Sequence, residues 1–110
     1  MKNVPILWKD AIELIRDTDG LIQTTASGLM ALSIGGGGNA KVLLEKTELL
    51  KEQRHRLEQV IARVPTNQTV VSEADTPHYL DVYSTTMCIL EVVQEQILPD
   101  MAGLSTKVLD

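Results

Sequence analysis

Asn39 to Val64 reads NAKVLLEKTELLKEQRHRLEQVIARV, and its apolar positions decide the fold class. Leu43, Leu50, Leu57 and Val64 recur at heptad spacing, and Thr47, Val60 and Ile61 fall on the same side. One apolar stripe therefore runs along a helix predicted over 40–64. Asn39 suits its start, because the side-chain oxygen accepts hydrogen bonds from free N–H groups of the first turn. Pro65 ends it, since proline has no N–H and its ring clashes with the preceding turn. Lys46 and Gln53 fall where a second heptad core residue would sit, which favours a bundle over a long two-stranded coiled coil.

Upstream, Ile34-Gly35-Gly36-Gly37-Gly38 breaks the pattern, since successive glycines lose too much backbone entropy to stay helical. We read 34–39 as a glycine-rich connector and 1–33 as the first helical segment. Pro5 opens that segment, and Trp8, Ala11, Ile12 and Ile15 lie at helical spacing. Thr18, Ile22, Ala26, Leu29 and Ser33 nearly continue the stripe, so the helix is expected to run on, with Asp17 to Gly20 as the one place for a break. The small residues Thr24, Ser27, Gly28 and Ala31 would let another backbone come close.

Downstream, 65–76 is a polar connector in which Val70-Val71 suggests a brief extended piece. Thr76-Pro77 reads as a cap and first turn for a third helix over 77–98, with a stripe of Tyr79, Leu80, Tyr83, Met87, Leu90, Val93 and Ile97. Pro99 is expected to stop it, leaving 99–110 as a tail with a short docked turn around Met101 and Leu104. The expectation is thus an all-α fold in a single domain, 1–110: an antiparallel bundle of three long helices, or four if the first breaks near Gly20. Three helices can shield only part of these stripes, so a homodimer is expected.

A chain of 110 residues with 44% hydrophobic and 23% charged residues has the make-up of one ordinary globular domain. The net charge of -5 opposes a phosphate backbone as the main ligand. Trp8, Tyr79 and Tyr83 are the only aromatic residues, which leaves no base-stacking platform, so no nucleic acid partner is expected. The uncharged stretch from Gly20 to Ala40 is long enough for a membrane span, but Gln23, Thr24, Thr25, Ser27, Ser33 and the glycines interrupt it, so none is expected. Cys88 is the sole cysteine, which excludes an internal disulfide and fits a reducing compartment; with charges where an export signal needs an apolar run, the expected location is cytoplasmic. Charge is split along the chain: 41–64 carries net +2 and 65–110 net -6, so a basic face of the second helix would lie beside an acidic face of the third.

No pattern names an activity. The glycine run before Lys41 lacks the Gly-Lys-Ser/Thr order and preceding strand of a phosphate loop. His55 and His78 have no partner at metal-ligand spacing and read as surface or capping side chains. Cys88, between Met87 and Ile89, reads as a small buried side chain. Glu45, Glu48 and Asp81 are the one acidic set to weigh as a magnesium site, because facing helices can bring carboxylates together. The stretches Lys41 to Leu49 and His78 to Val82 resemble parts of the all-α MazG-type nucleoside triphosphate pyrophosphohydrolases. That family holds magnesium with Glu-Glu-x-x-Glu and Glu-x-x-Asp motifs, so the resemblance would make Glu45, Glu48 and Asp81 ligands. Leu44 and His78 stand where two further acids belong, and the resemblance is not taken as membership. The residues themselves read as exposed helix carboxylates neutralised by Lys46 and Lys51, with no metal, no cofactor and no catalytic residue assigned. The expected function is a non-catalytic protein-interaction module with an unidentified protein partner; the alternative is a degenerate enzyme of the MazG type.

Overall fold

The computed structural model describes residues 5–35 and 39–109, and every regular element among them is helical. Helix α1 spans Trp8–Ile34, α2 Ala40–Ala62 and α3 Thr76–Val92; a π turn at Val93–Ile97 then carries the third helix into a further stretch, α4, Leu98–Leu109. The connector glycines Gly36 to Gly38 lie outside the described residues.

Helix α1 is continuous through Asp17 to Gly20, so the break that would have made a fourth helix there does not form. Thr18 and Thr25 occupy fully buried positions yet cost little, because each hydroxyl donates to a carbonyl one turn back, Leu14 at 2.7 Å and Leu21 at 2.7 Å. Gly20 faces open space, where a helical glycine costs about 1 kcal/mol relative to alanine. Burial of Trp8, Ala11, Ile15, Ile22 and Leu29 on the opposite side outweighs that penalty at about 25 cal/mol per Å² of apolar surface.

Asn39 caps α2 as expected: its Oδ1 accepts from the Lys41 N–H at 3.0 Å and the Val42 N–H at 3.4 Å. Leu50, Leu57 and Val60 are buried, Leu43, Thr47 and Val64 half-buried, and Ile61 exposed. Gln53, which breaks the heptad pattern, is nonetheless in the core, its amide oxygen accepting from Arg56 at 2.9 Å. The helix closes two residues before Val64, with the Arg63 N–H donating to the Val60 carbonyl at 3.0 Å.

The connector is tied across the start of α1. Leu7 and Val70 form an isolated antiparallel bridge, in which Val71 N–H donates to the Ile6 carbonyl at 2.8 Å and Trp8 N–H to the Thr69 carbonyl at 3.0 Å. The extended piece suggested by Val70-Val71 therefore exists, and it satisfies the first donor of α1, for which Leu7 offers no side-chain cap. Thr76 does not cap α3. It is the first helical residue and its hydroxyl donates back to the Ser72 carbonyl at 3.1 Å, while Ser72 Oγ accepts from the Asp75 N–H.

Two expectations for the third helix are corrected. Its buried face is Tyr79, Val82, Thr86, Ile89, Val93 and Ile97, while Leu80 and Tyr83 are exposed. The helix is apolar on more than one side, and Thr86 enters the core because its hydroxyl is satisfied by the Val82 carbonyl at 2.8 Å. Nor does Pro99 stop the chain, for 99–109 is helical. In the π turn Leu98 N–H reaches back to the Val93 carbonyl, so the register widens by one residue just where Pro99 has no N–H to give, and the proline enters the first turn of α4, a tolerated position. The same widening keeps the seam aligned: Ile89, Val93, Ile97 and Met101 step by four, a drift of about 40° per step on an α-helix, and the wider turn takes part of that back.

Ile12 and Ile15 line one groove with Ile61 and Val64, while Met30 and Ile34 line another with Thr47, so α1 and α2 run in opposite directions. Trp8 meets Tyr79 edge-on at 5.4 Å, and Met101 packs over Gly28, so α1 and the third helix run the same way. A Cβ on Gly28 would come within 2.6 Å of Met101 Cε; the close approach expected at the small residues is that of a side chain, not a backbone. Arg63 pairs with Asp81 and Lys46 with Asp100, placing α2 against the third helix in opposite direction and joining its basic side to the acidic one. The result is elongated, 58 × 27 × 17 Å, with a radius of gyration of 17.3 Å against about 13 Å for a compact domain of this length.

Candidate interaction surfaces

The acidic set is not brought together within the chain. Asp81 pairs with Arg63 at the C-terminal end of α2, whereas Glu45 and Glu48 lie 15 to 18 residues earlier on that helix, about 22–27 Å along its axis. Glu48 has Lys51 at 3.8 Å, both widely exposed. Lys46 does not neutralise Glu45 or Glu48; it crosses to Asp100 at 2.6 Å. Among the described residues no three of His, Cys, Asp and Glu converge in a way that could hold a metal.

The histidines take the capping and surface roles expected. His78 Nε2 lies 2.8 Å from the Arg63 carbonyl just past the end of α2, and its ring stacks obliquely on Trp8 at 5.8 Å. His55 lies on an exposed face, 3.2 Å from the Gln59 amide. Cys88 corrects its expectation: it is exposed, because the buried face of α3 passes through Thr86 and Ile89 on either side of it.

Among the described residues, most of the large apolar side chains left exposed line three grooves, while Ile6, Leu44 and Val70 stand outside them. The first, of about 360 Å³, runs between the second half of α1 and the first half of α2, floored by Ile22, Leu29 and Leu50, with Met30 on one wall and Lys51 and Arg54 on the other. Met30 is 65% exposed, Ile34 at its end 81%, and Leu44 one turn before Thr47 is 62% exposed. The second groove, about 330 Å³, lies between the same two helices at their other end, with Ile12, Ile61, Val64 and Pro65 in its walls. Ile12 and Met30 are 18 residues apart, five full turns, so they stand on one flank of α1.

The third groove opens on the other flank of α1, against α3. Leu14, Tyr79, Leu80 and Tyr83 form its apolar part, and Asp10, Glu13 and Asp17 its acidic rim, around about 540 Å³. The rings of Tyr79 and Tyr83 lie 5.9 Å apart. Burial pushes the Tyr79 phenol above its ordinary value, and the charges of Asp10 and Tyr83 add to the shift, because each disfavours a phenolate there.

No family model, curated protein or solved structure matches the chain. The surfaces themselves carry the functional reading. The heptad reading found the floor residue Leu50 but not the apolar wall: Met30 and Ile34 lie off the predicted stripes, as does the exposed Leu44 nearby, and their signal was that they are large apolar residues out of phase with the core. No helix among the described residues is long and apolar enough to cross a membrane.

Proposed function

We propose that the chain is a non-catalytic helical protein-interaction module, an adaptor, chaperone-like or assembly component, arranged as an antiparallel bundle and acting as a homodimer in the cytoplasm. One observation carries the reading: both flanks of α1 expose large apolar side chains beside polar rims, while Trp8, Leu57, Ile89 and Ile97 already fill the interior. Apolar grooves edged with polar groups are the usual form of a surface that receives another helix. Two flanks allow two simultaneous contacts, as an adaptor requires. The groove beside α3 combines tyrosines with three carboxylates, which suits an amphipathic partner segment bearing basic residues. No observation favours the hydrolase alternative, since Asp81 pairs with Arg63, about 22 Å along the α2 axis from Glu48.

The test compares wild-type protein with Leu80→Asp as baits in a quantitative pull-down, alongside Mg²⁺-dependent turnover of nucleoside triphosphates. Leu80 is 56% exposed, so its replacement leaves the fold intact. Proteins held by the wild type and released by the variant are the expected result. Identical capture by both, or nucleotide turnover that vanishes in Glu48→Gln and Asp81→Asn, would overturn the proposal.

A further inference from the structure

Three carboxylates of α1 border the groove it shares with α3. Asp10, Glu13 and Asp17 follow one another at three and four residues, a single stripe about 10 Å long. Asp10 lies in the first turn, where the helix dipole favours it, but Glu13 and Asp17 lie beyond that help and repel one another across one turn. Lys9 and Arg16 neighbour them in sequence, yet among the described residues none of the three acids has an ion pair or a side-chain hydrogen bond. No Lys or Arg lines the groove.

The wall opposite the acids supplies an independent observation. Tyr79 is only 7% exposed, and its hydroxyl has no hydrogen-bond partner in the chain, whereas a buried phenol normally finds one. Among the described residues the one fully enclosed side-chain polar atom without a partner is Trp8 Nε1, so the Tyr79 oxygen keeps an opening, and the groove is where this side chain reaches the surface. Burial, and after it the Asp10 charge, raise the phenol above its ordinary value, so that carboxylate and the phenol share one field. Helices α1 and α3 run the same way from the Trp8–Tyr79 contact, which sets Asp10 level with Tyr79, and Glu13 and Leu14 level with Tyr83 one turn on. An unpartnered phenol oxygen accepts an N–H, and the two rings, 5.9 Å apart, can attract a cation through their faces.

We propose that the groove receives a helix of a partner protein through two of its Lys or Arg side chains, one held between Asp10 and the Tyr79 hydroxyl, the other between Glu13 and Asp17 beside the Tyr83 ring. The proposal rests on the interaction-module reading and specifies the partner's chemistry at one of its surfaces. The two cation positions are one to two turns apart, so the basic residues stand four or seven residues apart on the partner helix, and an apolar residue between them covers Leu14 and Leu80. Such cations bring together what the chain leaves separate: they relieve the repulsion between Glu13 and Asp17 and give the Tyr79 oxygen its donor. A bare metal ion does not fit, because no three of these acids converge on one point. The long stem of a Lys or Arg does fit, since it buries methylenes against the apolar wall while its charged head reaches the rim.

The experiment selects binders to the full-length chain from a displayed library of helical peptides randomised on one face. Binding of the recovered peptides is then measured at low and high salt to the wild type and to three variants with unchanged circular dichroism spectra: Glu13→Gln with Asp17→Asn, Tyr79→Phe, and Leu80→Ser. Recovered peptides should carry Lys or Arg four or seven residues apart around an apolar residue. Their affinity should fall about tenfold in the doubly neutralised variant and roughly tenfold in Tyr79→Phe, the first loss shrinking at high salt. Equal binding to the wild type and both of these variants would overturn the proposal. Peptides that need Leu80 but show no excess of Lys or Arg would overturn the basic-partner inference and leave the interaction-module reading standing, whereas recovery of no peptide would count against both. Free spermine should fail to displace a recovered peptide; displacement at the peptide's own affinity would overturn the helix in favour of a small polyamine.

Discussion

Leu57 and Ile61 lie one turn apart on α2, and both fall on the sequence-predicted stripe, yet Leu57 is 1% exposed and Ile61 47%. Leu57 packs within the cluster that contains Leu50, Val60, Val82 and Ile89. Truncation to alanine removes that burial and leaves a void closed on all sides, which costs about 2–5 kcal/mol. With an unfolding entropy of about 0.23 kcal/mol/K for 110 residues, a loss of 3 kcal/mol lowers the melting midpoint by about 13 °C. Ile61→Ala removes half-solvated atoms at the edge of a groove, so its cost stays within about 1 kcal/mol. Thermal unfolding followed by circular dichroism, with both variants at one protein concentration, measures the difference and holds any dimer equilibrium fixed. Equal midpoints for Leu57→Ala and Ile61→Ala would show that α2 is rotated from the phase described, and would remove the basis for an open α1–α2 face.

Gly20→Ala should stabilise the chain by about 0.5–1 kcal/mol in urea titrations, because a Cβ there meets nothing within 4 Å and the helix gains propensity; a loss of stability would mean the helix breaks there. Asn39→Ala should cost about 1 kcal/mol, the value of a side-chain N-cap, while Asn39→Asp should keep most of it; equal stability of all three proteins would exclude the cap. Tyr79 makes stability pH-dependent. Its folded value is raised above 10.0, so the native state holds a proton that the unfolded chain releases. That contribution is complete below pH 10.0 and is lost as pH rises through the raised folded value. Denaturation midpoints should therefore fall less steeply at alkaline pH for Tyr79→Phe than for the wild type.

The helices were legible because their cores follow simple periods and their ends carry specific residues. Leu50, Leu57 and Val60 sit where the heptad put them, and Asn39 caps where its side-chain chemistry suggested. What escaped were positions at which a local bond changes the meaning of a residue. Thr18, Thr25 and Thr86 read as polar, but a hydroxyl turned onto the carbonyl one turn back leaves a small, satisfied side chain fit for the core. Gln53 is admitted in the same way by Arg56. On α3 this concealment had a cost in phase: with Thr86 discounted, Leu80 and Tyr83 supplied the more regular stripe, and the true one through Val82 and Ile89 was passed over. Pro99 misled for the converse reason, since the register shift that accommodates it is a property of the hydrogen-bond ladder and leaves no mark on composition.

The surfaces were less legible than the core, and the reason is physical. An apolar residue is drawn out of water with equal force by its own chain or by another, so sequence gives the demand for burial but not its source. Met30, Ile34 and Leu44 illustrate this: in a stripe count they are noise, and only the placement of α3 on the far side of α1 and α2 shows that the described residues do not cover them. The carboxylates present the mirror case. Glu45, Glu48 and Asp81 are the acids that the MazG-type resemblance would make magnesium ligands, but Asp81 meets Arg63 and ties α2 to the third helix, while Glu48 lies beside Lys51 on α2 itself. An acidic residue opposite a basic helix is thus explained by the packing of the chain. An apolar residue that no described part of the chain covers is not, and that asymmetry is why the exposed flanks of α1, rather than the acids, carry the proposed function.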